Sequence, residues 1–352
     1  MDSLKPKIVT VDKRNYRFPD SSAWTQYRNV GTYEEETSER SEPIYDSDEE
    51  SNESNIEIKP HFGGRFIHSF HVPRAFYAFI IGSKGATRKR LEAETKSTIN
   101  IPKVGQDGDI VIIGRSRRSI ISARNRIDLL VESSRKKVQF THFLSVPLTD
   151  KNVIHEFREF QKDVLNKTGK GARGISDSLF QSEERLHLTL DVLKLLDDNE
   201  RKAAAKKLQD CKKDVIDPFL KANGPINLEI KGVEIMNDEP SETKILYARI
   251  VDSEQTFQTL ADNIVDYFVK DGLINRKYSR VKLHMTIMNM KFALKDDSEA
   301  LKGDWGSFDA SNILKVHKNT YFGKMKLSTI HLSQRNTRNE IGYYKDTSKI
   351  DV

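Results

Sequence analysis

Two short segments carry the residues best suited to chemistry: Leu186-His187-Leu188-Thr189-Leu190 and Leu283-His284-Met285-Thr286-Ile287. Each reads apolar, His, apolar, Thr, apolar. Side chains alternate between faces along a β-strand, so each copy shows one imidazole and one hydroxyl together, with three apolar residues behind them. If the two strands face each other, the cleft between them gains two histidines and two threonines. That set suits acid–base work on a phosphodiester. One imidazole takes a proton from the attacking oxygen, the other gives one to the leaving oxygen, and the hydroxyls bond the phosphoryl oxygens. A lone histidine on a strand is more often structural, so it is the repetition that argues for function. Ile330-His331-Leu332-Ser333 has the same outline but ranks third, because Gln334 breaks its apolar back face.

A different chemistry sits earlier, in Ile80-Ile81-Gly82-Ser83-Lys84-Gly85 followed by Arg88, Lys89 and Arg90. Two glycines let the backbone approach phosphates, and a helix N-terminus and Lys84 supply positive potential. Ile81, Ile99 and Ile101 are placed to line a groove for unstacked bases. Gly82, Ser83, Lys84, Gly85 and Arg88, with those three isoleucines, form a candidate single-strand nucleic-acid site.

The elements around that loop follow from pattern. Ser69 to Pro73 reads as a strand, Arg74 to Ile81 as a short helix and Ala86 to Thr95 as a second helix. Thr98 to Ile101 and Asp109 to Ile113 are β-rich, with a Gly105-Gln106-Asp107-Gly108 turn between them. Arg117 to Glu132 is helical, with Ile120, Ala123, Ile127 and Leu130 at spacings of three and four. This βααββα order, with Gly-x-x-Gly at the first helix–helix junction, resembles a type I KH domain over residues 58–135.

Residues 138–352 give a second domain. Phe140 to Val146 alternates as a strand. Lys151 to Leu165 is an amphipathic helix with Val153, Ile154, Phe157, Phe160 and Val164 on one stripe. Gly169 to Gly174, with Lys170 and Arg173, reads as a mobile basic loop before the first His strand. Asn199 to Val215 is helical, Asn227 to Ile235 and Ile245 to Val251 are strands, and Phe257 to Val269 is a helix before the second His strand. Gly323 to Leu332 reads as one late strand. Helix, loop and His strand thus occur twice, which implies a pseudo-twofold α+β layout.

Composition bounds the rest. The chain has 352 residues, 37% of them hydrophobic and 31% charged, which is room for two or three domains. Cys211 is the one cysteine, which excludes an internal disulfide and a cysteine-based zinc site and suits a reducing compartment. No stretch is apolar enough to span a membrane and no secretory leader is read at the N-terminus. The net charge of +6 hides a split: Tyr33 to Glu57 holds eleven acidic residues against Arg40, leaving a basic body that suits a polyanion partner. Residues 1–57 read as a largely disordered tail. Within it, Ile8 to Arg17 is an apolar, basic and aromatic patch that suits docking on a partner as an added strand. Ser47, before Asp48-Glu49-Glu50, has the context of an acidic-directed kinase site.

Paired His-x-Thr strands resemble the two-histidine phosphoesterase superfamily, which includes the LigT-like RNA ligases and cyclic phosphodiesterases. A KH domain directly ahead of that fold narrows the likeness. Met1 to Thr10, Ile101 to Gly108 and Ser279 to His284 also carry it. The resemblance implies a KH domain followed by a bilobal, pseudo-twofold LigT-like domain. It implies metal-independent cleavage at RNA ends, often through 2′,3′-cyclic phosphates, with no cofactor. His187 and His284 would be the acid–base pair, in an order the pattern leaves open, and Thr189 and Thr286 the phosphate binders. It further implies a nuclear location in a helicase-containing assembly linked to transcription coactivation and alkylation-damage repair, with single-stranded nucleic acid, RNA above DNA, as ligand. The alternative is a catalytically silent RNA- or DNA-binding adaptor for that assembly. A small-nucleotide hydrolase is weaker, since it would leave the KH domain unused.

Overall fold

A computed structural model describes residues 7–11, 14–18, 56–103, 106, 108–276, 278–294 and 306–352. The acidic run up to residue 55, Ser47, Gly105 and Asp107 lie outside the described residues. So do Asp296, Asp297, Glu299 and Asp304, the acidic residues that follow the second His motif. The chain forms two compact units, residues 1–53 and 54–352. In the first, β1 (Lys7–Val11) and β2 (Arg14–Phe18) pair antiparallel from Lys7↔Phe18 to Val11↔Arg14. The patch read as an added strand for a partner therefore pairs with itself.

The second unit begins with a four-stranded antiparallel sheet in the order β3-β4-β6-β5. Its elements are β3 (Lys59–His61), β4 (Arg65–Phe70), α1 (Tyr77–Ile81), α2 (Ala86–Thr95), β5 (Ser97–Asn100), β6 (Ile110–Gly114) and α3 (Arg117–Lys137). The βααββα order of a type I KH domain is present. The first long strand lies earlier than the expected Ser69 to Pro73. Its inward face carries His68, buried beside Phe70 with Nδ1 2.9 Å from the Glu57 carbonyl, and a polar residue there hides the alternation. Residues 74–76 form a separate 3₁₀ turn ahead of α1. Phe76, Ile80, Ile99, Ile110, Ile112, Ile120 and Ile127 make the core. Ser116 caps α3 by accepting from the Ser119 N–H.

The remainder is built on one eight-stranded sheet in the order β12-β9-β10-β11-β8-β7-β13-β14. Its strands are β7 (His142–Pro147), β8 (His187–Leu193), β9 (Asn227–Ile235), β10 (Ile245–Val251), β11 (His284–Asn289), β12 (Tyr321–Lys326), β13 (Thr329–Arg338) and β14 (Tyr344–Asp351). Two four-stranded halves meet at its centre, where β11 and β8 share a single register pair, Met285↔Leu188. The His strands are therefore neighbours in one sheet rather than walls on opposite sides of a gap. Their pairing is so brief that a cleft opens along the seam.

The helices cross that seam. Between β7 and β8, α4 (Lys151–Asp163) sets Phe160 against Phe322 of β12, in the far half. Gly323, at φ +126°, lets the strand approach: a Cβ there would meet Val153 at 3.1 Å. Between β10 and β11, α6 (Thr256–Lys270) is buried through Phe257, Leu260, Ile264 and Phe268. The expected strand from Gly323 to Leu332 is two strands, β12 and β13, far apart in the sheet. Leu327 is buried and continues the alternation, so the pattern runs straight through the break. The expected mobile basic loop is also corrected at Arg173, whose guanidinium bonds the Ser307 carbonyl at 3.1 Å and Glu242 at 2.8 Å.

The KH module docks through the turn after β8. His71 Nε2 lies 2.7 Å from Asp197, which caps α5 (Asp198–Cys211). Arg135 near the end of α3 pairs with Glu200 and donates to the Lys194 carbonyl at 3.1 Å. Leu196 packs against the KH core.

Candidate active site

Both imidazoles are fixed in the same way. His187 Nδ1 lies 2.6 Å from the Arg185 carbonyl, and His284 Nδ1 lies 2.6 Å from the Lys282 carbonyl. A carbonyl only accepts, so Nδ1 carries the proton in each ring and Nε2 is left to act. Leu188 and Met285, the residues that follow, are fully buried, which turns each histidine to the opposite face. Phe143 supports the His187 ring at 5.3 Å with Tyr344 edge-on at 5.2 Å, and Tyr247 supports His284 at 5.4 Å.

The seam opens into a cavity of about 580 Å³ whose walls include His187, Thr189 and Thr286. His284 stands just off this wall, near enough that its charge would oppose protonation of His187. The structure thus brings the two histidines and two threonines of the sequence motif together. Burial pushes His187 down to about 4, against the pull of the Arg185 carbonyl. Burial also lowers His284, with the Lys282 charge adding to the effect. Both rings are neutral at pH 7 in the unliganded protein.

Four further residues complete the cavity and were not singled out from sequence. Arg185, Lys291, Arg335 and Arg338 line it, and no carboxylate does so among the described lining residues. Arg185 Nε is buried with no hydrogen-bond partner. A buried, unpartnered guanidinium nitrogen is costly, and an anion in the cavity would relieve it. Strand alternation gives no signal for Arg185, because it closes the 3₁₀ turn Glu183–Arg185 and β8 begins only at His187. Tyr344, whose hydroxyl bonds the Gln181 side chain, is raised chiefly by burial. Nothing local in the sequence joins Tyr344 to a histidine on β8, because β14 reaches the site only through β13 and β7. Among the described residues, no group of three or more His, Cys, Asp or Glu side chains is placed to hold a metal ion. The third motif lies outside this site: His331 is held edge-on to Tyr343 at 5.6 Å.

The KH loop is built as its glycines require. Gly82 sits at φ +71°, and a Cβ there would fall 2.2 Å from Thr87 Oγ1 and 2.9 Å from the Thr87 backbone nitrogen. Gly85 sits at φ +79° with open space where its Cβ would be. Lys84 adopts φ +50°, an unusual conformation for a residue with a side chain, and is exposed together with Ser83. Arg88 lies one turn into α2, 4.0 Å from Glu92. Ile81 and Ile101 are half-buried over the core. Ile99 is corrected: at 1% exposure it belongs to the core and stands beneath the groove, since β5 turns Ile99 inward between Thr98 and Asn100.

Two family models match the chain. The family model described as "AKAP7 2'5' RNA ligase-like domain" matches residues 140–352, and the KH domain model matches residues 67–129. Over its whole length the chain is 36% identical to mouse activating signal cointegrator 1 complex subunit 1, covering 99% of that protein. Among solved structures, the first KH type I domain of human vigilin is 24% identical over 26% of this chain and 96% of its own, with a TM-score of 0.21. TT0787 of Thermus thermophilus is 16% identical over 60% of this chain and 97% of its own, with a TM-score of 0.40.

Proposed function

Because the chain belongs to the AKAP7 2'5' RNA ligase-like family and carries a KH domain ahead of that module, we propose that it is a single-strand RNA-binding phosphodiesterase. Its two Nε2 atoms act on phosphodiesters at RNA ends, 2′,3′-cyclic phosphates among them. The observation that carries this reading is the matched pair of imidazoles. Each is locked through Nδ1 to a main-chain carbonyl, beside two threonines and a cavity lined by cations.

The proposed step is an acid–base displacement at phosphorus. One neutral Nε2 takes a proton from water as its oxygen bonds phosphorus. The bond from phosphorus to the leaving ribose oxygen breaks, and the second imidazole, charged, gives that oxygen its proton. Charge grows on the non-bridging oxygens, where the Thr189 and Thr286 hydroxyls and the Arg185 guanidinium stabilise it. The anionic substrate raises the pKa of both rings and so brings a proton to the one that must be charged. The KH loop, through Gly82 to Gly85, Lys84 and Arg88, holds the strand by its phosphates.

The full-length likeness to a complex subunit favours a second role beside this one: a nucleic-acid-reading subunit of a nuclear, helicase-containing coactivator and alkylation-repair assembly. A cleavage assay on end-labelled single-stranded RNA, with cyclic ends and with EDTA present, tests the enzyme reading. His187→Ala and His284→Ala should each lower the rate by roughly 10²–10⁴ while binding persists. Wild-type RNA binding with no cleavage by any form would leave the adaptor role alone.

A further inference from the structure

A second cavity of about 480 Å³ adjoins the catalytic one. It is built from the segment joining the KH module to β7, the turn after β8 and the far part of β13. Phe140, Arg335 and Asn336 line both cavities, so they form the partition between them. That partition is rigid. The Arg335 guanidinium lies 4.6 Å over the Phe140 ring and bonds the Gln139 side chain, and the Arg335 backbone N–H donates to the Thr141 carbonyl at 2.9 Å. An aromatic ring and a guanidinium plane are the two surfaces on which proteins stack unpaired bases. The remaining wall offers Gln334 and Thr337, uncharged groups suited to the edge of a base, with His142 and Arg201 beside them and no carboxylate. Its far side is bounded by Val138, directly after α3, and by Leu196, which packs on the KH core. A strand leaving this cavity on that side meets the KH module first.

We infer that the second cavity is a base-binding subsite for the penultimate nucleotide, the one joined to the nucleotide that carries the reacting phosphate, with the Phe140–Arg335 pair as its stacking platform. The inference rests on the phosphodiesterase reading and makes it specific: the ligand is an RNA end of at least two nucleotides, its chain directed toward the KH module. A mononucleotide fills only half of the site.

Calorimetric titration of the full chain with adenosine 3′-monophosphate and with the 3′-phosphorylated adenylyl dinucleotide tests this. The dinucleotide should bind roughly 10- to 100-fold more tightly, the range of one base stack. Phe140→Leu, which keeps apolar volume but loses the ring, should bring that ratio close to one. Thr337→Glu alters an exposed position of the second cavity alone and should also lower the ratio, most at low salt. Equal affinity for both ligands in the wild type, or a ratio unmoved by both variants, overturns the subsite and leaves the catalytic reading intact. Binding of neither ligand overturns the phosphate-binding cavity itself and the subsite with it.

Discussion

At the scale of single residues, the site depends on protons. His187 and His284 are both held below the ordinary histidine value by burial, and His187 stands at about 4. In the free protein the acid form is scarce at pH 7 and grows as pH falls. The kcat/KM for a cyclic mononucleotide should therefore rise from about pH 7.5 to about pH 5.5, while the kcat optimum lies higher because bound phosphate raises both rings. A pH–rate series measures both limbs, and a kcat/KM maximum above neutrality would contradict the assignment. Arg185 carries a separate expectation. Its Nε has no partner in the free protein, so Arg185→Met should leave the melting temperature unchanged or higher. The same substitution should weaken phosphate binding roughly 10- to 100-fold, the worth of a charge-assisted bond.

At the scale of elements, the KH loop separates two glycines that look alike in sequence. Both have positive φ, but only Gly82 has Thr87 in the way. Gly85→Ala should cost about 1 kcal/mol, the price of a left-handed alanine. Gly82→Ala should cost about 2–4 kcal/mol, because the Thr87 backbone must also move. Chemical unfolding of the two variants compares them directly. The sequence made elements legible where capping, glycine position and apolar spacing agree. The helix α2 begins and ends where its pattern says, and α3 starts at its Ser116 cap. It misled where alternation was interrupted or falsely continued: His68 hid the start of β4, and Leu327 disguised the break between β12 and β13. The two His-x-Thr segments were legible because chemistry and alternation coincide there. Tyr344, Arg335 and Arg338 were not, since they reach the cavity only through the sheet's order, and Lys291 was not because it stands in the 3₁₀ turn after β11, where alternation no longer applies.

At the scale of the whole molecule, two features set stability. His142 is buried between Thr141 Oγ1 at 2.8 Å and Thr347 Oγ1 at 3.0 Å, and burial pushes it down to about 4, with Arg201 adding to the effect. Its folded value lies below its unfolded value, so the unfolded chain takes up the proton first as pH falls. Its contribution is whole above about pH 6.5 and is lost progressively toward pH 4, with about 2 kcal/mol gone at pH 5. His187 acts in the same direction. The melting temperature should fall between pH 7 and pH 5, and His142→Gln should flatten that fall. The second feature is the docking of the KH module on the turn after β8, where Arg135 meets Glu200 and the Lys194 carbonyl. Arg135→Ala should split thermal unfolding into two transitions, read separately by hydrogen exchange in α3 and in β8. A single unchanged transition would assign the coupling to Leu196 and His71 instead.

The carbonyls that fix the two imidazoles belong to the main chain at positions 185 and 282. Every amino acid supplies a carbonyl, so the tautomer is indifferent to which side chain stands at either place. Over evolutionary time those two positions can vary in shape without disturbing which ring nitrogen carries the proton, while their charge still bears on how readily the second nitrogen takes one. Preference for one ligand over another can drift while the proton relay is inherited intact, and a designer seeking a new substrate has the same two positions to change.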